Sequence, residues 1–411
     1  MRKHNAFAAI QISEFRNFLL GRFLFIMALR MLGTLVGWWV FELTHEPFAI
    51  GLIGLSEVIP AVSLALYSGH IIDVSEKRKL MLTGVSLYIV AAALLAILST
   101  KISLEMLSAH TIVFCIYIII FLTGIIRSFA SPVFNTILPT TVPKEILQNA
   151  VTWNQGAWLS ASVIGHASIG FLIAGVGNTR SLIAIVALAT TGFIFLFGLP
   201  SKPPVKQVTE KKTWESVKEG LRFVFETKEL LGALTLDLFA VLFGGAVAMI
   251  PVFAKDVLNA GPIGYGWLNA AADIGSVIII ITLTFFPISG KQGRKLMYAI
   301  AGFGICIITF ALSKIFWISF AALLLSGLLD GISVVIRGTI LQLKTPDNMR
   351  GRVMSVNSMF INSSNEFGQF ESGVAAKLMG VEPSVLFGGC MTLLIVTTTW
   401  FKSPKLREME Y

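Results

Sequence analysis

Charged residues set deep inside apolar runs are the groups here with chemistry to offer. Arg22, Arg30, Glu57, Arg127, His166, Asp237, Asp273, Asp330, Arg337, Glu366 and Glu371 each stand among aliphatic and aromatic neighbours. If those runs cross a bilayer, a charge at such depth costs about 2.5 to 3.5 kcal/mol, so each of them needs a partner or a task. A carboxyl group that no fixed cation holds exchanges a proton near neutral pH in such surroundings, and Glu366 and Asp330 are the candidates for proton coupling. Neighbouring Ser, Asn or Arg groups that satisfy them are the competing explanation. Glu366 belongs to a polar stripe, Ser355, Asn362, Glu366, Gln369 and Gly373, whose spacing puts all five on one helix face. Gln155, Ser162 and His166 form a milder stripe, with Trp158 one turn from Ser162. Arg30 and Arg127, nearer the middle of their runs, suit an anionic group through paired N–H donors. Together with Gln155, Trp158, Asn362 and Gln369 they are the candidate substrate-binding residues, the indole serving as a stacking surface.

Other chemistries are excluded. No G-x-x-x-x-G-K-[ST] stretch is present, so ATP hydrolysis is not the energy source, and neither H-E-x-x-H nor G-x-S-x-G suggests a hydrolase. An enzyme, a cofactor and a metal site are not expected. Cys115, Cys306 and Cys390 lie in separate apolar runs without metal-ligand spacing and are read as small buried apolar residues.

What must position these groups is a membrane-spanning scaffold. The chain is 55% hydrophobic and 13% charged, far from the roughly 25% charge of an ordinary soluble domain. Twelve spans of about the length that crosses a bilayer are expected, near 18–43, 48–72, 80–99, 109–138, 148–175, 179–199, 229–254, 261–287, 295–313, 315–342, 352–380 and 383–401. The basic N-terminal stretch lacks the apolar core and cleavage site of a removable signal. Lys and Arg gather after spans 2, 8 and 10 and before span 1, whereas THEPF at 44–48 and GVGN at 175–178 carry few, so both termini are expected to be cytoplasmic. The net charge of +9 is thereby assigned to the cytoplasmic face, and no nucleic-acid partner is implied.

The chain also repeats itself. RKLM at 78–81 returns at 294–297, TIL at 136–138 returns at 339–341, and SASVIGHASIG at 160–170 lies in register over SSNEFGQFESG at 363–373. The reading is an all-α integral membrane protein whose twelve transmembrane helices form two pseudo-symmetric six-helix bundles, residues 1–200 and 229–411, joined by a cytoplasmic linker at 201–228. That linker is either a solvated tether or a helix on the membrane surface, because Trp214, Val217, Leu221 and Val224 recur at helical spacing. In the repeat alignment Arg127 falls on Asp330 and Arg22 falls on Asp237, cations in one half over anions in the other. Arg22 and Asp237 are therefore expected to close a gate by pairing, and Arg337 is read as near enough to a helix end to snorkel. Spans 3, 6, 9 and 12 hold no ionisable residue in their interiors and are the expected lipid-facing supports.

Two parallel six-helix halves resemble the major facilitator superfamily. GHIIDVSEKRK at 69–79 is similar to its loop signature, a Gly, an Asp four residues on and a basic cluster, with Val74 where a cation usually follows Asp73. The resemblance implies a gating role for Asp73. FRNFLLGRF at 15–23 and TPDNMRGRVMSVN at 345–357 resemble the subgroup that includes bacterial enterobactin exporters. From that resemblance follow a multi-pass, monomeric transporter of the bacterial inner membrane with a small-molecule substrate and protons as partners. Its expected work is alternating-access, proton-coupled export of a siderophore or similar amphipathic compound. A multidrug/proton antiporter, a lysophospholipid flippase and a substrate-sensing protein on the same fold are the alternatives.

Overall fold

Hydrocarbon offers no partner to a backbone N–H or C=O, so an apolar chain in a bilayer satisfies its backbone within helices. The computed structural model describes residues 7–201, 213–346 and 349–410; several side chains within helices, including those of Asp73, Trp214, Val217, Ser355 and Asn362, lie outside the described residues. Among the described residues there are helices and no strand: α1 (Ser13–Thr44), α2 (Pro47–Val74), α3 (Lys77–Leu98), the short α4 (Lys101–Met106), α5 (Ala109–Ile137), α6 (Leu147–Phe197), α7 (Thr213–Glu226), α8 (Lys228–Phe243), the single turn α9 (Ile250–Val252), α10 (Gly261–Phe285), α11 (Gln292–Leu312), α12 (Phe316–Lys344), α13 (Arg350–Met379), α14 (Val381–Lys402) and the short α15 (Pro404–Arg407).

Among the described residues, 9 helical runs are long and apolar enough to cross a membrane. Expected spans 5 and 6 share one of them, parted inside α6 at Gly177, whose φ of 79° only glycine adopts without strain. Span 11 is present as α13 but is too polar to count on hydropathy, because of the stripe that carries Glu366. Span 7 is interrupted. After α8 come Gly244 and Gly245, a 3-10 turn at Ala246–Met249, α9 and a wide π turn at Phe253–Val257; Pro251, which lacks an N–H, prevents a regular helix from continuing. The fold is that of an all-α membrane protein, and its spans are consistent with the expected twelve.

The described residues divide into two compact units, one from Met1–Trp39 and Ile59–Thr209, the other from Val40–Val58 and Glu210–Tyr411. In the first, α3 packs on α5 and α6, and Phe15, Phe18, Leu35, Met81, Leu95, Ile116 and Leu182 are fully buried. In the second, α12 packs between α10 and α11, and α11 packs on α14. Leu230, Leu234, Leu296, Ile300, Ile340, Val353 and Leu406 form its core. The tip formed by residues 40–58 joins this unit through a glycine crossing. A Cβ on Gly51 would stand 2.9 Å from the Cα of Gly373, and one on Gly54 would stand 2.8 Å from the carbonyl oxygen of Glu366. Lys377 lies 4.5 Å from the Phe48 ring centroid and Lys255 lies 5.5 Å from that of Phe41, so cations reinforce the same seam.

Helix α7 settles part of the linker question. The described end of its apolar stripe covers protein: Val224 is fully buried, and Leu221 and Phe223 pack on the second unit's core. Glu219 pairs with Arg352, and a Cβ on Gly220 would stand 3.1 Å from the Arg352 carbonyl oxygen. At the other end of this unit's chain the Gly293 N–H donates to the Met409 carbonyl at 3.1 Å. The three cysteines depart from expectation: Cys115 and Cys306 are half-buried and Cys390 is exposed, because they lie on helix faces turned from their neighbours.

Candidate functional site

The second unit brings three ionisable groups into one crevice. Asp237 comes from α8, and Asp330, Ser333 and Arg337 come from α12, where three- and four-residue spacing keeps them on one face. The crevice is narrow, with a volume of about 10 Å³, and is walled by Ala240, Val241, Ile300, Phe303 and Leu329 with Asp237, Asp330 and Ser333. Arg337 Nη1 donates to Asp237 Oδ2 at 2.5 Å and its Nε donates to Ser333 Oγ at 3.1 Å. The side chains of Arg337 and Asp237 are 7% and 8% exposed. The charge of Arg337 also acts on Asp330, so one guanidinium serves two carboxyl groups. One expectation changes. Arg337 does not snorkel: it is buried, because Asp237 and Ser333 supply the polar partners that a membrane interface would otherwise have supplied. Asp237 is paired with Arg337 of its own unit.

Arg22 has its own surroundings in the first unit. Its Nη2 donates to Asn135 Oδ1 at 3.2 Å, and the guanidinium lies 5.4 Å from the ring centroid of Phe134 and 6.0 Å from that of Phe18. Helices α1 and α6 meet a little further on. Arg30 lies 5.2 Å from the Trp158 ring centroid, and Thr34 Oγ1 shares a hydrogen bond of 3.2 Å with His166 Nδ1. Two of the residues selected for substrate binding thus touch. Both Arg30 and Trp158 are half-buried, as is Arg127 on α5, while Gln155 is exposed.

Glu366 on α13 is 7% exposed and accepts from Gln369 Nε2 at 3.3 Å. The helix crossing at Gly54 covers both. The side chains of Asp73 and Asn362 lie outside the described residues. Sequence reasoning missed the roles of Ser333, Arg337, Thr34, His166 and Asn135. The signal for Arg337 was present: it lies seven residues, two helical turns, beyond Asp330. Nothing in the sequence relates Asn135 to Arg22.

Residues 5–411 match the transmembrane secretion effector family. The chain belongs to that family. Its relatives include the enterobactin exporters EntS of Shigella boydii serotype 18, 26% identical over 343 residues that cover 82% of this chain and 79% of the exporter, and of Escherichia coli O139:H28, with the same identity and coverage. Among solved structures, the nucleoside transporter NupG superposes with a TM-score of 0.72 at 15% identity, covering 94% of this chain and 99% of that one. A D-xylose-proton symporter superposes with a TM-score of 0.72 at 15% identity, covering 98% and 99%. At such identities these structures establish the fold alone. The transporter is a multi-pass membrane protein of major facilitator type, and its family and structural neighbours are transporters.

Proposed function

We propose that this transporter exports a siderophore or a similar amphipathic small molecule across the bacterial inner membrane by alternating access, driven by proton entry. The crevice of the second unit is the observation that carries the reading. With Asp237 and Arg337 neutralising each other at 2.5 Å, an ionised Asp330 beside them leaves one negative charge uncompensated, in a setting where a charge costs about 2.5 to 3.5 kcal/mol. Taking up one proton removes that cost and releasing it restores it, which is the behaviour a proton-coupled carrier needs. Glu366 is the second proton-carrying group in this reading, held where residues 40–58 cross α13. Arg30, Arg127, Gln155, Trp158, Asn362 and Gln369 are the proposed substrate contacts, and Arg22, Asp73 and Asp237 the proposed gating groups. The relatives' name, enterobactin exporter, supports the substrate class and the direction. The two six-helix halves, 1–200 and 229–411, and cytoplasmic termini belong to the same proposal.

Flux into proteoliposomes tests it. A labelled catecholate siderophore and a cationic dye are presented to the purified, reconstituted transporter with and without an imposed pH gradient. Siderophore movement accelerated by the gradient is expected. Equal rates with and without the gradient would remove the proton from the mechanism, and movement of the dye alone would transfer the reading to a multidrug antiporter.

A further inference from the structure

One side of the second unit carries an apolar surface that ends in cations. Helices α11 and α14 run side by side and meet through bare backbone: a Cβ on Gly389 would stand 3.0 Å from the Gly304 carbonyl oxygen. On their outer faces apolar side chains recur every seven residues, a spacing that returns to the same side of a helix. Tyr298, Ile305 and Leu312 of α11 and Leu394 and Phe401 of α14 are each more than half exposed. Scattered apolar residues on a surface need no explanation, but two neighbouring rows of them do. At one end the rows are joined. The Tyr298 ring stands 5.7 Å from that of Trp400, and the Arg407 guanidinium stands 5.5 Å from the same indole. The segment that carries Arg407 is fixed in place, since Leu406 is fully buried and the Gly293 N–H donates to the Met409 carbonyl at 3.1 Å. Cations crowd this end. Lys295 lies one turn before Tyr298, Lys402 follows Phe401, and Lys405 stands in the first turn of α15; all three are exposed. Arg407 is taken up by Glu408 at 3.0 Å, but among the described residues no carboxylate pairs with Lys402 or Lys405. Lys295 gives one N–H to the Ser289 carbonyl at 2.6 Å and keeps two. The opposite end of the rows offers Lys314 and Glu382, one charge of each sign.

An apolar surface that ends in aromatic rings and lysines has the profile of a membrane boundary, where rings sit at headgroup level and ammonium groups reach out of the hydrocarbon. The seven residues from Tyr298 to Ile305 rise about 10 Å, inside the roughly 15 Å that one leaflet contributes to the hydrocarbon core. A molecule that answers both parts has an acyl chain and an anionic head. A soluble anion would leave the two rows uncovered, and a zwitterionic lipid would bring a cation of its own into a cluster of cations. We infer that the Tyr298–Trp400 end of α11 and α14 is a binding site for an anionic phospholipid, with its chain laid along the two rows and its phosphate held by Lys402 and Lys405. Lys405 belongs to the segment that packs on α8 and α11, so the bound headgroup also fastens that segment. The inference goes beyond the export reading and does not rest on it, because this surface faces the bilayer and needs no cargo.

Native mass spectrometry of the full-length transporter, with dioleoyl phosphatidylglycerol, dioleoyl phosphatidylcholine or inorganic phosphate added to the micelles, reads the site. Phosphatidylglycerol is expected to bind roughly tenfold more tightly than phosphatidylcholine or better, and inorganic phosphate is expected not to displace it. Lys402→Gln and Lys405→Gln should each weaken phosphatidylglycerol binding about fivefold, the effect of one cation beside an anionic headgroup, and together about 25-fold. Lys314→Gln, at the opposite end of the rows, should leave it unchanged. Phe401→Ser should weaken both lipids, since it removes part of the surface on which their chains lie. All four side chains are exposed, so melting curves of the variants should match that of the wild type and separate lost binding from lost folding. In nanodiscs, phosphatidylglycerol should slow tryptic cleavage after Arg407 relative to phosphatidylcholine, and equal rates would overturn the fastening of that segment. Equal affinity for the two lipids, unchanged affinity in the Lys402→Gln, Lys405→Gln double variant, an equal loss in Lys314→Gln, or displacement of the lipid by inorganic phosphate would overturn the site.

Discussion

Replacing Arg337 with Met leaves Asp237 and Asp330 facing each other in the crevice with no cation. The ion pair that is lost measures 2.5 Å between side chains that are 7% and 8% exposed, so neither water nor salt screens it. Removing one member of such a pair costs roughly 3 to 5 kcal/mol, a loss of about a hundredfold or more in the folding equilibrium. The same pair exchanged for apolar groups, Asp237→Leu with Arg337→Met, costs less than Arg337→Met alone, because the two carboxyl groups no longer face each other and Asp330 by itself is left without the cation. Asp237→Leu alone should cost less still, since Asp330 remains to receive the guanidinium. Denaturation in mixed micelles, followed by tryptophan fluorescence for the wild type, both single variants and the double variant, completes the cycle. The exposed pair Arg222 with Glu226 on α7, whose side chains are 79% and 63% exposed, is the internal control, and Arg222→Ala should produce no resolvable change. Additive single effects, or an Arg337→Met variant as stable as the wild type, would refute the reasoning.

Four shorter expectations follow from other contacts. Glu366→Gln should abolish gradient-driven flux while leaving insertion intact, measured by proteoliposome uptake against membrane yield; unaltered gradient-driven flux would remove Glu366 from the mechanism. Gly51→Val should lower the melting temperature, because a Cβ there stands 2.9 Å from the Gly373 backbone, whereas Gly33→Ala, whose Cβ meets nothing within 4 Å, should not. Gly293→Val drives a side chain into the Leu406 carbonyl and should free residues 403–410, seen as faster tryptic cleavage after Lys405 and Arg407. Glu219→Ala removes the partner of Arg352 and should increase hydrogen exchange along α7.

Legibility of the fold and of the site in the sequence differed for physical reasons. Membrane insertion acts on whole segments of about twenty residues, so composition and apolar runs sufficed to read an all-α membrane protein with its spans. The exceptions are local: spans 5 and 6 follow each other without a loop because the one glycine at Gly177 turns the chain between two helices, and span 7 breaks at Gly244, Gly245 and Pro251, which a hydropathy window averages away. Side-chain partners follow from rotation and depth, which no periodicity reports across helices. Thus Arg337 looked like an interfacial residue when read along α12 alone, and its burial became evident only when α8 supplied Asp237. The stripe on α13 was legible as a polar face, yet what covers it, the backbone of Gly51 and Gly54, belongs to a helix more than three hundred positions away. Arg30 and Trp158 were chosen separately and meet; His166 was read as an ionisable group on the stripe beside Trp158, whereas its partner Thr34 carried no signal stronger than polarity.

Coupling between substrate and proton is the central claim, and the internal pH of vesicles reports it most directly. Proteoliposomes loaded with catecholate siderophore and a trapped pH dye are diluted into siderophore-free medium at equal pH, with potassium and valinomycin clamping the voltage. The account expects siderophore efflux to drive protons inward, so the interior acidifies, and expects the signal to vanish in Asp330→Asn and Glu366→Gln. Siderophore efflux with no change in internal pH would contradict it.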